Sequence, residues 1–213
     1  MSMLGAVVLC GGQSRRMGRP KAWLPFGPEL MLQRVVRLLG EVVGPIVVVA
    51  APGQDVPGLP EGVGIVRDLV SDRGPLQGLA AGLAALPDRV ELAYATATDV
   101  PFLRPAWVSR LVELIGENDL AVPDVGGYLH PLAGLYRRRT VLPAAEALLA
   151  EDRLRPIFLL EALASLRVGP EMLSPVDPDL GTLRNLNTPE DYRQALAEAG
   201  FGRLSDGAGG SGA

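Results

Sequence analysis

The sequence predicts an α/β protein: a single doubly wound, mostly parallel sheet with helices on both faces. Apolar, β-branched runs typical of buried strands alternate with segments whose apolar residues recur at helical spacing. Such alternation implies right-handed crossovers between parallel strands. The length of 213 residues, with 48% hydrophobic and 21% charged residues, suits one domain of this kind. We expect that domain over residues 1–200 and a disordered, low-complexity tail over residues 201–213.

The predicted elements follow one another in chain order. Strands are expected at residues 6–10, 46–50, 64–66, 92–98 and 120–123, with helices between them at 30–39, 76–86 and 106–115. In the last third, a strand or hairpin is expected at 128–136, followed by helices at 141–149, 156–163 and 188–199. Thr188 can cap the last helix, because Pro189 suits a first turn and Asp191 stands three residues after the cap. Ligands of parallel sheets bind beyond the carboxyl ends of the strands, so the site is expected there.

The most informative segment is GAVVLCGGQSRRMGRPK, residues 5–21. A strand-like run ends in two adjacent glycines. Serine, arginine and lysine residues follow them. Backbone N–H groups and positive charge at one point are what a phosphate requires, and glycine lets the backbone approach it closely. The spacing excludes the GxxxxGK[ST] and GxGxxG loops. Taken singly, the glycines could form only a tight turn and the arginines only a solvated face, but the whole pattern predicts a nucleotide site.

The string L-x-G-G-x-S-x-R-M-G-x-x-K in this segment resembles the signature loop of the molybdenum cofactor guanylyltransferases, within the GT-A-like nucleotidyltransferase superfamily. A similar loop occurs in cytidylyl- and sugar-nucleotide transferases, so later segments decide the family. The resemblance implies a Rossmann-like nucleotidyltransferase domain in which Arg16 and Lys21 are catalytic. It also implies nucleotide-binding residues in this loop: Leu9, Cys10, Gly11, Gly12, Ser14 and Lys21.

The segment ATATDVPFL, residues 95–103, supplies a candidate metal ligand. Pro101 disfavours helix and extends the residue before it, so Asp99 is presented at the end of a strand. A lone aspartate at such a place is more often a helix cap or turn residue. Here the segment resembles the family's D-x-P-F/Y motif, whose aspartate holds Mg²⁺. Magnesium needs only one or two carboxylates besides phosphate oxygens and waters, so the resemblance implies that Asp99 is a catalytic, nucleotide-binding metal ligand and that Mg²⁺ is the cofactor.

Two further regions extend the resemblance. RDLVSDRGPLQGLAAGL, residues 67–83, resembles the family's D-x(n)-GPL-x-G segment, which implies that Asp68, Gly74 and Gly78 shape the nucleoside pocket. A glycine followed by a proline is also an ordinary helix entry, but GPL-x-G favours the guanylyl over the cytidylyl branch. HPLAGLY and NLNTPEDY, at residues 130–136 and 185–192, resemble the acceptor-side segments. They imply that His130, Asn185 and Asn187 face the second substrate, although either asparagine could instead cap a helix or form an Asx turn.

Composition and charge exclude several other functions. A net charge of −4 argues against general nucleic-acid binding. Cys10 is the only cysteine, which excludes an internal disulfide, and it is expected to be a small core residue. His130 is the only histidine, which argues against a histidine-based metal cage. We expect no membrane span and no signal peptide, and hence a cytoplasmic protein. A Rossmann-type oxidoreductase is disfavoured because its glycine pattern is missing.

The function implied by the resemblance is transfer of GMP from GTP to the phosphate of molybdopterin carrying molybdenum, with release of pyrophosphate. The partners would be these two substrates, with transient contacts to molybdopterin-synthesis or apo-molybdoenzyme proteins. The alternatives are a molybdopterin cytidylyltransferase, a sugar-phosphate nucleotidyltransferase and a non-catalytic carrier of nucleotide or cofactor. The sequence departs from the family pattern at Cys10 and Thr98, and residues 49–52 lack the asparagine often found near the base pocket.

Overall fold

The computed structural model describes residues 3–11, 19–68 and 73–202. In these ranges the strands are β1 (Met3–Leu9), β2 (Pro25–Phe26), β3 (Glu29–Leu30), β4 (Ile46–Ala50), β5 (Gly64–Arg67), β6 (Val90–Ala97), β7 (Leu120–Val125), β8 (Tyr128–Leu129), β9 (Ala133–Arg137) and β10 (Ser165–Val168). The α-helices are α1 (Met31–Gly40), α2 (Gly74–Ala85), α3 (Pro105–Ile115), α4 (Arg138–Ala150), α5 (Leu159–Ala162), α6 (Pro170–Leu173) and α7 (Pro189–Glu198). Short 3₁₀ helices lie at Lys21–Trp23, Pro156–Phe158 and Gly181–Leu183. No helix among these residues is long and apolar enough to cross a lipid bilayer.

The main sheet has the strand order β10-β7-β9-β6-β1-β4-β5, with β8 added to β7. Strand β1 runs parallel to both β4 and β6, β4 runs parallel to β5, and β10 runs parallel to β7. Strand β9 lies between β6 and β7 and is antiparallel to both. The predicted mostly parallel α/β sheet is therefore confirmed, with one reversed strand inside it. Strands β2 and β3 form a separate antiparallel hairpin.

Helices cover both faces of this sheet, as predicted. Along β1, Ala6 and Val8 point to the apolar core formed with α1 and α3, whereas Val7 points to the core formed with α2 and α4. Because both faces are buried, the central strands are apolar at almost every position rather than at every second one. The five residues of β4, IVVVA, are all buried.

Helix α2 lies unusually close to β1 because two of its residues have no side chain. A Cβ placed on Gly82 would lie 2.3 Å from Val7 Cγ1, and one placed on Gly78 would lie 3.1 Å from Leu9 Cδ2. The valine and leucine side chains occupy the space that larger helix residues would need. The glycines of the GPLQGLAAG stretch therefore set the distance between helix and strand.

The final third departs from the prediction in three places. Strand β10 and helix α6 were not expected, because each has only four residues and neither shows a clear periodic pattern. The helix expected at 156–163 is divided into a 3₁₀ turn and the short helix α5. The strand or hairpin expected at 128–136 consists of β8 and β9 with a short break between them. The tail was predicted to begin at residue 201, but Phe201 packs against Phe26, and the residues from 203 onward lie outside the described residues.

The predicted cap of the last helix is confirmed. The backbone N–H of Asp191 donates to Thr188 Oγ1 at 3.1 Å, and the Thr188 N–H donates to Asp191 Oδ2 at 2.9 Å. This reciprocal pair satisfies two donors at the start of α7 and fixes the direction from which the preceding chain arrives.

Helix α7 is fastened to the β2–β3 hairpin. The Tyr192 hydroxyl donates to the carbonyl of Pro25. The Phe201 ring meets the Phe26 ring edge-on, with 5.6 Å between centroids. It also lies over Gly27, which has a φ of +68° and no room for a Cβ beneath the ring. These contacts hold the C-terminal segment against the chain that immediately follows Lys21–Trp23.

Candidate active site

The carboxyl ends of β1 and β6 meet at one edge of the sheet. Leu9 is the register partner of Ala97, and the Thr98 hydroxyl donates to the Leu9 carbonyl at 3.1 Å. The chain that follows β1 and the aspartate that follows β6 therefore leave the sheet side by side. This is the edge at which parallel sheets bind ligands, and it places Asp99 where the sequence predicted it.

An ion pair occupies this edge. Lys21 Nζ lies 2.5 Å from Asp99 Oδ2; the Lys21 side chain is 21% exposed and the Asp99 side chain 10% exposed. The 3₁₀ turn that begins at Lys21 positions the ammonium, since Trp23 N–H donates to the Pro20 carbonyl and Ala22 is buried in the core beneath. A pair of this burial requires further hydrogen bonds to offset its lost hydration.

The C-terminal segment supplies those hydrogen bonds. Asn185 Nδ2 donates to Asp99 Oδ1 at 3.2 Å, and Lys21 Nζ donates to Asn187 Oδ1 at 2.9 Å. Between the two asparagines, Leu186 is buried and its N–H donates to the Asp99 backbone carbonyl at 3.0 Å. The structure thus brings together four of the predicted site residues, which come from three distant segments of the chain.

Lys21 is the only lysine of the chain, since the other 19 of its 20 basic residues are arginines. An ammonium is a compact point charge with three donors, whereas a guanidinium is a wide planar fork. Two oxygens at 2.5 and 2.9 Å from one nitrogen suit the ammonium. The geometry therefore explains why an arginine-rich chain carries lysine at this position.

The oxygen donors at this edge fit a divalent cation. Asp99 offers one carboxylate, whose oxygens are hard ligands of the kind that Mg²⁺ prefers. Among the described residues there is no group of three or more His, Cys, Asp or Glu side chains that could hold a metal alone. A single carboxylate suits a cation whose other ligands are phosphate oxygens and waters.

The end of β1 is tied to the loop after β4 by a residue that sequence reasoning missed. Gln54 Nε2 donates to the Cys10 carbonyl at 2.9 Å, and its Oε1 accepts from Ala51 N–H at 3.0 Å. An Arg67 guanidinium nitrogen donates to the Gln54 carbonyl at 2.7 Å. The only sequence signal was a polar residue four positions after a predicted strand. Because both ends of the Gln54 amide bind backbone groups, its role is to shape the loop.

Cys10 and Gly11 begin the predicted phosphate loop. Cys10 is buried, and burial raises the pKa of its thiol, so the side chain stays neutral, in agreement with the predicted small core residue. Gly11 is exposed at the sheet edge, where its backbone is accessible to a ligand. Gly12, Ser14 and Arg16 lie outside the described residues, and their predicted roles stay predictions.

The residues predicted to shape the nucleoside pocket lie on the α2 side of the molecule. Asp68 follows β5, and its N–H donates to the carbonyl of the last residue of β4 at 2.9 Å. Gly74 starts α2 with a φ of +75°, and a Cβ there would lie 3.1 Å from the Leu154 carbonyl oxygen. The contact that Gly78 makes is packing against Leu9. Asp68, next to the last residue of β4, and Gly78, next to the last residue of β1, are therefore placed at the edge, whereas the contact of Gly74 is with Leu154.

His130 lies on the other side of the ion pair. Its N–H donates to the Pro123 carbonyl at 2.9 Å, directly before β9 begins at Ala133, the register partner of Thr96. The chain at His130 is therefore near the end of β6. Burial lowers the pKa of the imidazole, and the nearby Asp124 carboxylate acts in the opposite direction.

Comparison with known proteins gives similarities over most of the chain. The family model of the MobA-like NTP transferase domain matches residues 6–166. A protein of Mycobacterium avium named "Probable molybdenum cofactor guanylyltransferase" is 36% identical over 200 residues, 92% of this chain and 96% of the relative. A protein of the same name from Mycobacterium bovis is 40% identical over 138 residues, 63% of this chain and 68% of the relative.

A solved structure shows the same fold. Molybdopterin-guanine dinucleotide biosynthesis protein A from Archaeoglobus fulgidus matches with a TM-score of 0.74 and 22% identity. The match covers 92% of this chain and 98% of that protein.

Proposed function

This chain belongs to the family of MobA-like NTP transferase domains, and from that premise we propose that it transfers GMP from GTP to the terminal phosphate of molybdopterin, carrying molybdenum. The products are pyrophosphate and molybdopterin guanine dinucleotide. The names of the 36–40% identical relatives support this choice of substrates. The observation that carries the proposal is the Lys21–Asp99 pair at the carboxyl edge of β1 and β6.

The reaction asks the protein to bring two anions together. A phosphate oxygen of the acceptor attacks the α-phosphorus of GTP, and the bond between that phosphorus and the β-phosphate bridging oxygen breaks as pyrophosphate leaves. The nucleophile is already ionised, so no general base is required. The protein contributes alignment of the reactants and positive charge where negative charge accumulates. Lys21 supplies that charge from a fixed position, and Arg16 is proposed to act with it.

A divalent metal is typical of nucleotidyltransferases, and we propose Mg²⁺ here, with Asp99 as its protein carboxylate. Held there, the ion would supply positive charge that neutralises part of the charge of the phosphates. Since Lys21 Nζ lies against Asp99 Oδ2, the ammonium and a divalent ion would compete for that carboxylate oxygen.

The remaining predicted residues divide between the two substrates. On the nucleotide side, we propose that the N–H groups at Gly11 and Gly12, with Ser14, cradle the triphosphate. Leu9, Cys10, Asp68, Gly74 and Gly78 are proposed to form the nucleoside wall. His130 is proposed on the acceptor side. We further propose that residues 1–200 act as one domain, in the cytoplasm, with transient contacts to the proteins that make the acceptor or receive the product.

The test is pyrophosphate release from GTP, CTP and ATP in turn, with Mg²⁺ and molybdenum-loaded molybdopterin. We expect release from GTP only, and its loss in the variant Asp99→Ala. Release from CTP alone would assign the protein to the cytidylyl branch of the same chemistry. Tight GTP binding without release from any nucleotide would contradict the proposed transfer and favour a carrier.

A further inference from the structure

The two asparagines of the C-terminal segment use opposite ends of their amides. A carboxylate only accepts hydrogen bonds and an ammonium only donates them. Asn185 must therefore direct its NH₂ group to Asp99, and Asn187 must direct its oxygen to Lys21, as the distances of 3.2 and 2.9 Å show. The chemistry of the partners fixes both amide orientations.

Each charged group therefore has two of these partners: the other member of the ion pair and one asparagine. The two oxygens of Asp99 are divided between Asn185 at Oδ1 and Lys21 at Oδ2. The ammonium of Lys21 is divided between Asp99 and Asn187. If the ion pair separated, each charged group would keep one hydrogen bond, Asp99 to Asn185 and Lys21 to Asn187.

The backbone around the asparagines is held independently of their side chains. The buried Leu186 donates its N–H to the Asp99 carbonyl. The N–H of Asn187 donates to Asp191 Oδ2 at 3.1 Å, within the cap of α7. The two asparagine side chains therefore extend from a fixed stretch of backbone, and from there they can orient Asp99 and Lys21.

We propose that Asn185 and Asn187 are positioning residues for a cation exchange at Asp99, rather than contacts of the acceptor. The inference rests on the proposed function. Asn185 binds Oδ1 of Asp99, so that Oδ2 is the carboxylate oxygen that faces the cation. With a divalent cation held by Asp99, Lys21 would lose its contact with Oδ2, and Asn187 would keep the ammonium within reach of the phosphates. Asn185 acts through Asp99, whereas Asn187 acts through Lys21.

The first experiment measures Mn²⁺ affinity by electron paramagnetic resonance, without nucleotide or acceptor. Lys21→Ala removes the competing ammonium and should tighten Mn²⁺ binding about 5-fold, as expected for a partly exposed charge pair. In Asn187→Ala, Lys21 keeps Asp99 as its remaining partner in this cluster, so its ammonium competes more strongly and Mn²⁺ binding should weaken about 3-fold. This effect should disappear in the Lys21→Ala background, where no ammonium competes. Asn185→Ala should weaken binding in both backgrounds.

A matched control is available in the same chain. Asn118 also donates through Nδ2, at 2.9 Å, to a backbone carbonyl, that of Ile115, but it precedes β7 at the opposite edge of the sheet. Asn118→Ala should bind Mn²⁺ like the wild type. Circular dichroism identifies any variant that fails to fold, and Asn185→Ser replaces Asn185→Ala in that case.

The single lysine allows a direct second readout. Lysine-selective ¹³C labelling yields one Cε–Hε signal set, that of Lys21. We expect it to shift on Mg²⁺ addition while its two Hε protons stay inequivalent, because Asn187 still holds the ammonium. In Asn187→Ala the two protons should become equivalent once Mg²⁺ is bound. Protons that are already equivalent in the Mg²⁺-loaded wild type would overturn the holding role of Asn187.

Other outcomes also decide between the alternatives. Unchanged Mn²⁺ affinity in both asparagine variants, with a raised KM for the acceptor, would show acceptor contacts and overturn the proposal. Weaker Mn²⁺ binding by Asn187→Ala in the Lys21→Ala background would show that Asn187 is itself a metal ligand, which also contradicts it. Failure of the proposed function is recognised separately, as a wild-type protein that shows the expected Mn²⁺ pattern but releases no pyrophosphate from GTP.

Discussion

The Lys21–Asp99 cluster lies beyond the carboxyl end of β1 and the α2 contact lies along β1, and the two are built by opposite means. The cluster joins polar side chains that are 78 to 166 residues apart in the chain. The α2–β1 contact relies on glycines, where the lack of side chains allows close approach. The comparison indicates that the cluster positions the charged groups of Lys21 and Asp99, whereas the glycine contact positions helix α2 against the sheet. Changes to the first should affect chemistry, and changes to the second should affect stability.

The largest expected effect comes from Lys21. Lys21→Ala should lower the rate of pyrophosphate release about 10²-fold or more, the order observed when a charge-stabilising donor is removed, with little change in melting temperature. Lys21→Arg keeps the charge but places a planar fork between two oxygens spaced for an ammonium, so it should restore little activity. Near-normal turnover by Lys21→Ala would show that the ion pair is only structural.

A smaller effect, on stability, is expected from Gly82. Gly82→Ala places a methyl group 2.3 Å from Val7 Cγ1 and 3.0 Å from Val49 Cγ2, so the helix must shift and unfolding should become easier by about 1–3 kcal/mol. Urea titration measures this. Gly40→Ala is the matched control, because a Cβ at this exposed helix end meets nothing within 4 Å. It should be neutral or slightly stabilising, and equal losses in both variants would contradict the packing argument.

Phe201 tests whether the two kinds of contact are coupled. Phe201→Ala removes the edge-on partner of Phe26 and the cover over Gly27. Because this ring is only half-buried, we expect the free energy of unfolding to fall by about 1–2 kcal/mol, less than for a fully buried phenylalanine. Turnover should fall less than in Lys21→Ala, since the asparagines remain held through Leu186. A kcat loss as large as that of Lys21→Ala would show that the packing of α7 alone determines the charge geometry.

The smallest expected effect is at His130. Burial lowers its pKa, so the folded protein binds this proton more weakly than the unfolded chain does. Stability should therefore fall slightly as the pH drops below about 6.5, the ordinary histidine pKa, and stay unaffected by this group above it. As the only histidine, it gives one imidazole signal in a proton NMR titration. Asp124→Asn should lower that pKa further, and a pKa above 6.5 in the wild type would disprove the burial argument.

The central sheet and the location of the site were predictable because both follow from local pattern. Apolar runs identified β1, β4 and β6, and parallel strands place their carboxyl ends together, so the segments at Lys21 and Asp99 were expected to meet. The contact between Asn187 and Lys21 spans 166 residues and leaves no periodic signal. Gln54 was missed for a similar reason, because its partners are backbone groups, one of them at Cys10, which is 44 residues away in the chain. Short elements such as β10 were missed because four residues contain too little pattern.

The separation between Lys21 and Asn187 also has a consequence during synthesis. At translation rates of about 5–20 residues per second, the 166 residues from the one after Lys21 up to and including Asn187 take roughly 8–33 s to be synthesised. The strands that carry Asp99 can pair well before then, but the ammonium acquires its second acceptor only when the C-terminal segment leaves the ribosome. A nascent chain therefore carries an incomplete Lys21–Asp99 cluster until Asn185 and Asn187 emerge, and their emergence is the step that completes it.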